Sequence, residues 1–163
     1  IDLIEITKKF THVVYNPKQF PGLVFRIKDP KTAILIFSSG KMVCTGGKSE
    51  KMAKIAINSV VSSLKENEIK IENSAIITIQ NIVASVDLGG KIDLEEAARQ
   101  LSNSMYEPEQ FPGLIYRMKK PKTVILIFSS GKLVCTGAKI ESQVKNAVNN
   151  LHNLLEKKNL MLY

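Results

Sequence analysis

The sequence predicts an α+β protein made of two similar halves, each an antiparallel sheet with helices over one face. Three observations carry this. Residues 15–50 (YNPKQFPGLVFRIKDPKTAILIFSSGKMVCTGGKSE) recur at 106–141 (YEPEQFPGLIYRMKKPKTVILIFSSGKLVCTGAKIE), offset by 91 residues without a gap and identical at 26 of 36 positions. Each copy holds short β-type runs punctuated by Pro and Gly, and each ends in a long stretch of helical period. Solenoid repeats recur every ~20–50 residues in several copies, so two copies this far apart imply half-domains about a pseudo-two-fold axis. The halves are taken as residues 1–74 and 75–163.

The second copy is the fuller one. Ala75 to Leu88 is β-rich and stops at the turn signal Gly89-Gly90. Asp93 is placed to cap a helix, with Glu96 as its capping-box partner and Leu94, Ala97, Ala98 and Leu101 at helical spacing. Three strands are predicted at Leu114–Met118, Thr123–Phe128 and Lys132–Thr136, separated by Pro121-Lys122 and Ser129-Ser130-Gly131. Such short turns imply a meander of antiparallel hairpins. A closing amphipathic helix puts Val144, Ala147, Val148, Leu151 and Leu155 on one face.

The first copy repeats the plan. Asp2 and Glu5 mark its opening helix, with Leu3, Ile6 and Phe10 apolar, and Met52, Ile55, Ala56 and Val60 are expected on the buried side of its last helix. Ile1-Asp2-Leu3 match Ile92-Asp93-Leu94, so equivalents of Ala75–Lys91 would precede Ile1. The sequence is therefore expected to be a piece whose first repeat lacks its opening strand.

A sheet covered on one face should alternate apolar with polar residues. Here Ala33–Phe37 and Val124–Phe128 are apolar throughout. With Ile34 and Ile36 towards the helices, Leu35 and Phe37 point away and need a cover of their own. In the next strand, Met42 and Cys44 point inward while Lys41, Val43 and Thr45 point outward, and Lys132, Val134 and Thr136 repeat the arrangement. Arg26 and Arg117 add cations in matching places. The outward face is thus an apolar floor with a basic border. That combination suits a shallow minor groove pressed against a sheet, with base edges on the floor and phosphates at the border.

Composition fits a folded domain: 163 residues, 44% hydrophobic and 23% charged, with a net charge of +8. The positive excess favours a polyanionic partner. No apolar run approaches the ~18 residues that span a bilayer, so no membrane partner is expected. Cys44 and Cys135 are repeat equivalents without a C-x-x-C pattern and read as buried small hydrophobes. Gly47-Lys48-Ser49 lacks the earlier glycine of a phosphate-binding loop, position 42 being Met. His12 and His152 have no nucleophile or ligand cluster around them. No enzyme activity, cofactor or metal is expected.

These residues resemble the TATA-box-binding protein family, in its archaeal form. The likeness covers both E/N-P-x-Q-F-P-G-L segments, both I-L-I-F-S-S-G-K strands, both V-C-T-G-x-K segments and I-Q-N-I-V-A-S-V. The resemblance implies a saddle, with a curved antiparallel sheet concave towards DNA and helices on its convex back. The family is itself a standard example of minor-groove binding and kinking.

By position, Phe20 with Phe37 and Phe111 with Phe128 resemble the phenylalanine pairs that wedge between base steps. Leu35, Val43, Thr45, Asn81, Val83, Leu126, Val134 and Thr136 resemble the residues facing the base edges. An Asn amide donates to A N3 or T O2, and an apolar floor disfavours the guanine amino group. Arg26, Ser39, Lys41, Lys48, Arg117, Ser130, Lys132 and Lys139 are implied phosphate or sugar contacts. Glu107 and Glu109 lie where the family docks transcription factor B, while Asn16 and Lys18 hold the matching places in the first copy.

The implied function is that of a general transcription initiation factor. It binds and bends the A·T-rich promoter and recruits transcription factor B and, indirectly, RNA polymerase. A homodimer through the concave face when free is a further expectation, as is a cytoplasmic, nucleoid-associated location (nuclear if eukaryotic). The alternative is a scaffold of the same fold whose apolar face binds protein instead of DNA.

Overall fold

A computed structural model describes all residues, 1–163, and divides them into two compact units, Ile1–Thr78 and Ile79–Tyr163.

The first unit begins with α1 (Leu3–Lys9) and continues through β1 (Val13–Val14), β2 (Leu23–Lys28), β3 (Lys31–Ile36) and β4 (Met42–Thr45) to α2 (Glu50–Glu66). Its four strands form one antiparallel sheet in chain order. The second unit runs β5 (Ile82–Asp87), β6 (Lys91–Ile92), α3 (Leu94–Gln100), β7 (Ser104–Met105), β8 (Leu114–Met118), β9 (Thr123–Ile127), β10 (Lys132–Ala138), α4 (Glu141–Lys157) and β11 (Met161–Leu162). Its sheet has the order β5-β10-β9-β8-β7, and β11 pairs with β6 in a separate ladder. The α+β class and the hairpin meander are as the sequence predicts.

Three of the four helix starts follow from side-chain caps, while α4, which follows Ile140, has none. Asp2 Oδ1 accepts from the backbone N–H groups of Ile4 and Glu5 at 3.0 and 3.1 Å, Ser49 Oγ from Met52 at 3.0 Å, and Asp93 Oδ1 from Glu96 at 3.0 Å. Each such bond contributes about 1 kcal/mol by pairing a donor the helix leaves free. The expected capping box at Asp93 is only half made. The Glu96 carboxylate turns to Arg99 and Gln100, while the Asp93 N–H donates to the Leu160 carbonyl. Both long helices stop in the same way, with Glu68 and Asn159 left-handed at φ 63° and 55°. The next N–H, at Ile69 or Leu160, then bonds back to Leu64 or Leu155 at 2.9 Å.

Burial separates the two sheet faces. Ile34, Ile36, Ile125, Ile127, Leu133 and Cys135 are wholly buried beneath the helices. Burying each aliphatic side chain contributes about 1.5–3 kcal/mol. Ala56, Val60 and Leu64 of α2 and Val144, Ala147, Leu151 and Leu155 of α4 complete the cores.

Five expectations need correction. Met52 and Ile55 are 44% and 45% exposed. At 100° per residue, the stripe centred on Ala56, Val60 and Leu64 leaves Ile55 nearly opposite and Met52 on the flank. Regular pairing of the strand expected from Ala75 begins only at Ile82, and Ile76 is 96% exposed. The strand predicted to close at Thr136 runs on to Ala138, whose partner across the ladder is Ile82, while the one predicted to Phe128 ends at Ile127. Cys44 is only half-buried, whereas Cys135 is fully so.

No helix is long and apolar enough to cross a membrane.

Candidate nucleic-acid interface

The face of each sheet turned from the helices carries a continuous apolar row. In the first unit, strand register aligns Val14, Val24, Leu35 and Val43 across four strands. In the second, it aligns Met105, Ile115, Leu126, Val134 and then Ser85. Val14, Val43 and Met105 are about half exposed or more, at 61%, 46% and 55%. These side chains leave water in part already, so covering them stabilises any complex that does so. A second row pairs Arg26 with Ala33 and Thr45, and Arg117 with Val124 and Thr136.

Two phenylalanine pairs flank these rows. Phe20 and Phe37 lie 5.8 Å apart between ring centroids at 68°, and Phe111 and Phe128 lie 5.9 Å apart at 69°. Edge-to-face contact of this kind is worth about 0.5–1.5 kcal/mol beyond the area it buries. Local turns place the rings. The Asn16 carbonyl accepts from Gln19 and Phe20, and that of Glu107 from Gln110 and Phe111. Phe37 and Phe128 close tight turns with Lys41 and Lys132, made possible by Gly40 and Gly131 at φ 92° and 90°. A methyl group on Gly22 would stand 2.7 Å from Phe20 Cε1, and one on Gly113 would stand 2.8 Å from Phe111 Cε1. Glycine after each Phe-Pro is thus what lets the rings meet.

The cations named from the sequence are all exposed: Arg26, Lys41, Lys48, Arg117, Lys132 and Lys139. The ion pairs of the fold use Lys9, Lys54, Lys70, Arg99 and His152 instead. Lys48 and Lys139 each stand just before the cap residue of a long helix, a position suited to anions. Ser39 and Ser130 are exposed in the turns, where each Oγ accepts from the N–H of Lys41 or Lys132 at 3.4 Å. Glu107 and Glu109 are exposed on the loop between β7 and β8, opposite in sign to Lys18 of the first unit.

Asn81 immediately precedes β5 and Val83 is its second residue, on the same side of the chain as Ser85 and Asp87. Val83 is 64% exposed. Asn81 is joined to the end of β10: its Oδ1 accepts from Gly137 N–H at 2.7 Å, and its Nδ2 donates to Thr136 Oγ1 at 3.2 Å. Asn81 therefore sits beside Thr136, at the end of the row that Arg117 and Val124 share.

Sequence reasoning passed over Val14, Val24, Ile115, Met105, Ser85 and Asp87. The signal for Val24 and Ile115 was present, because alternation with Arg26 and Arg117 puts them outward. Val14 and Met105 sit in two-residue strands too short to show a period. Asp87 stands opposite Lys132 and helps line a recess with Ser85, Phe128 and Val134.

Neither thiol is primed for chemistry. Burial pushes both Cys44 and Cys135 above the usual thiol range, partly offset at Cys135 by a Thr123 hydrogen bond. No three His, Cys, Asp or Glu side chains are grouped as metal ligands would be.

Comparison with known proteins agrees with this layout. The profile of the family described as "Transcription factor TFIID (or TATA-binding protein, TBP)" matches residues 1–67 and 76–158. The TATA-box-binding protein of Pyrobaculum aerophilum is 51% identical over 156 residues, which is 96% of this chain and 78% of that one. That of Methanobrevibacter smithii is 49% identical over 161 residues, 99% of this chain and 89% of its own. Among solved structures, "Methanococcus jannaschii TBP" superposes with a TM-score of 0.89 at 46% identity, covering 96% of this chain and 90% of that chain. With two matched sheet faces, two phenylalanine pairs and a profile spanning nearly all its residues, the chain belongs to the TATA-box-binding protein family.

Proposed function

We propose that this chain is a promoter-binding transcription initiation factor whose outward sheet faces cover the minor groove of A·T-rich DNA. The single observation that carries the reading is the repeated face itself: an apolar row in each unit, a phenylalanine pair beside it and unpaired cations around it. An apolar floor accepts the minor-groove edge of A·T pairs and penalises the guanine amino group, which would lose its hydration unpaired. The cations meet phosphates on either side, and each pair of rings enters a base step. Unstacking a step costs a few kcal/mol, which ring-to-base contact and the widened groove offset.

Partners follow from the same surfaces. Glu107 and Glu109 give the second unit's loop an acidic face for transcription factor B, with Asn16 and Lys18 withholding it from the first. RNA polymerase is recruited through that factor. Without DNA, the outward apolar faces of two copies cover one another in a homodimer. Kinship with archaeal relatives supports work in the cytoplasm, at the nucleoid.

The test is DNA bending measured by energy transfer between dyes at the two ends of a TATA duplex. Wild type is expected to bring the ends together. Phe128→Ala and Gly113→Ala, which remove or displace one wedge, are expected to reduce bending at that end while the protein stays folded by circular dichroism. Straight DNA in a saturated wild-type complex would refute the wedge.

A further inference from the structure

Asn81 is expected to read base edges, but an Asn amide is a poor discriminator when it can rotate. One orientation donates and the other accepts, so a freely flipping amide serves A·T and G·C alike. We infer that the bulge at the end of β10 holds Asn81 in a single orientation, with its amino group outward, so that Gly137 acts as a positioning residue for specificity. This rests on the nucleic-acid reading above and deepens it.

Three features support the assignment. The β5–β10 ladder shifts register between Cys135 and Ala138, which frees Gly137 from regular pairing. Gly137 adopts φ 100°, a left-handed geometry open to glycine and strained for other residues. Its N–H then meets Asn81 Oδ1 at 2.7 Å. A backbone N–H pairs only with an acceptor, so the side-chain oxygen must be the atom facing Gly137. The amino group is thereby the other branch of the amide, where one of its hydrogens is directed at Thr136 Oγ1, 3.2 Å from Nδ2; that hydroxyl is also 3.4 Å from Oδ1, so the Gly137 N–H is what sets the orientation. The second hydrogen remains for a ligand. Thr136 lies on the outward face, in the row of Arg117 and Val124, so the donor is presented beside the floor. The amide is ordered before any DNA arrives, which lowers the entropy lost on binding.

The ligand group that fits a fixed donor is an unprotonated acceptor: A N3, T O2 or the equivalent edge of inosine·cytosine. A purine carrying an amino group at C2 presents donor against donor.

Two measurements test this. In the free protein labelled with ¹³C and ¹⁵N, a through-hydrogen-bond coupling between Gly137 N and Asn81 Cγ is expected, and its absence overturns the proposal. The second measurement uses TATA duplexes carrying A·T, inosine·cytosine or 2,6-diaminopurine·T at the central steps, bound by wild type and Asn81→Asp. Wild type is expected to bind inosine·cytosine within about twofold of A·T and diaminopurine about tenfold more weakly. Asn81→Asp keeps an acceptor for Gly137 but turns a second acceptor outward, so its preference is expected to reverse towards diaminopurine. Steric exclusion by the floor alone predicts no reversal. Equal binding of all three duplexes by wild type, or an unreversed preference in Asn81→Asp, overturns the held amide. Presence of the coupling without binding to any duplex supports the held amide and overturns the nucleic-acid reading instead.

Discussion

Salt dependence offers a quantitative test of the charged border. Arg26, Lys41, Lys48, Arg117, Lys132 and Lys139 are exposed and outside the ion pairs of the fold. If each neutralises one phosphate, the logarithm of affinity should fall with the logarithm of salt at a slope of about −0.9 per contact, or about −5 in all. Doubling the salt from about 0.1 to 0.2 M then weakens binding about 40-fold. Lys139→Ala removes one contact, which reduces the slope by about one and the loss on doubling to about 20-fold. Lys145, exposed on α4, serves as a control whose removal should leave the slope unchanged. The assay is fluorescence anisotropy of a labelled TATA duplex titrated at five or more concentrations of potassium chloride. A wild-type slope shallower than about −3 would mean that most of these cations miss the backbone. An unchanged slope in Lys139→Ala would remove that residue from the interface whatever its effect on affinity.

Two further perturbations probe the faces and the core. Ile125 and Leu126 are chain neighbours on opposite sides of β9, the first wholly buried and the second half-exposed. Ile125→Ala should cost about 2–5 kcal/mol of stability in urea unfolding, whereas Leu126→Ala should cost about 1 kcal/mol and mainly weaken DNA binding. The opposite ordering would invert the sheet assignment. Cys44 and Cys135 titrate above the usual thiol value in the folded chain, so unfolded thiols ionise first as pH rises. Stability from these groups is present below about pH 8.5 and is lost above it. Replacing both with Ala should therefore flatten the fall of the urea midpoint as pH rises above about 8.5. An equal fall in both proteins would show that other groups govern alkaline unfolding.

Much of this molecule was legible in its residues because its signals are local or repeated. The two-residue period of a strand set which side chains of Ala33–Phe37 share a face, and Pro and Gly punctuation set where strands turn. Asp2 and Asp93 announced helix starts, since a cap needs only the next few residues. The 91-residue repeat assigned equivalent roles to distant positions, such as Phe37 and Phe128. The error at Met52 and Ile55 was also local: the second copy's stripe, shifted by the same offset, selects Ala53, Ile57 and Leu64 instead.

Tertiary structure decided what depends on register between strands far apart in sequence. Only pairing shows that Val14 and Met105 extend the apolar rows, and that Asp87 stands opposite Lys132. Nor does any pattern within Ile79–Asp87 show that the Asn81 amide is gripped by Gly137, since the two lie 56 residues apart. A side chain's face follows from the two-residue period of its own strand. Its neighbour across the ladder, and the direction in which a bulged N–H points, follow from how the sheet closes and twists around the core.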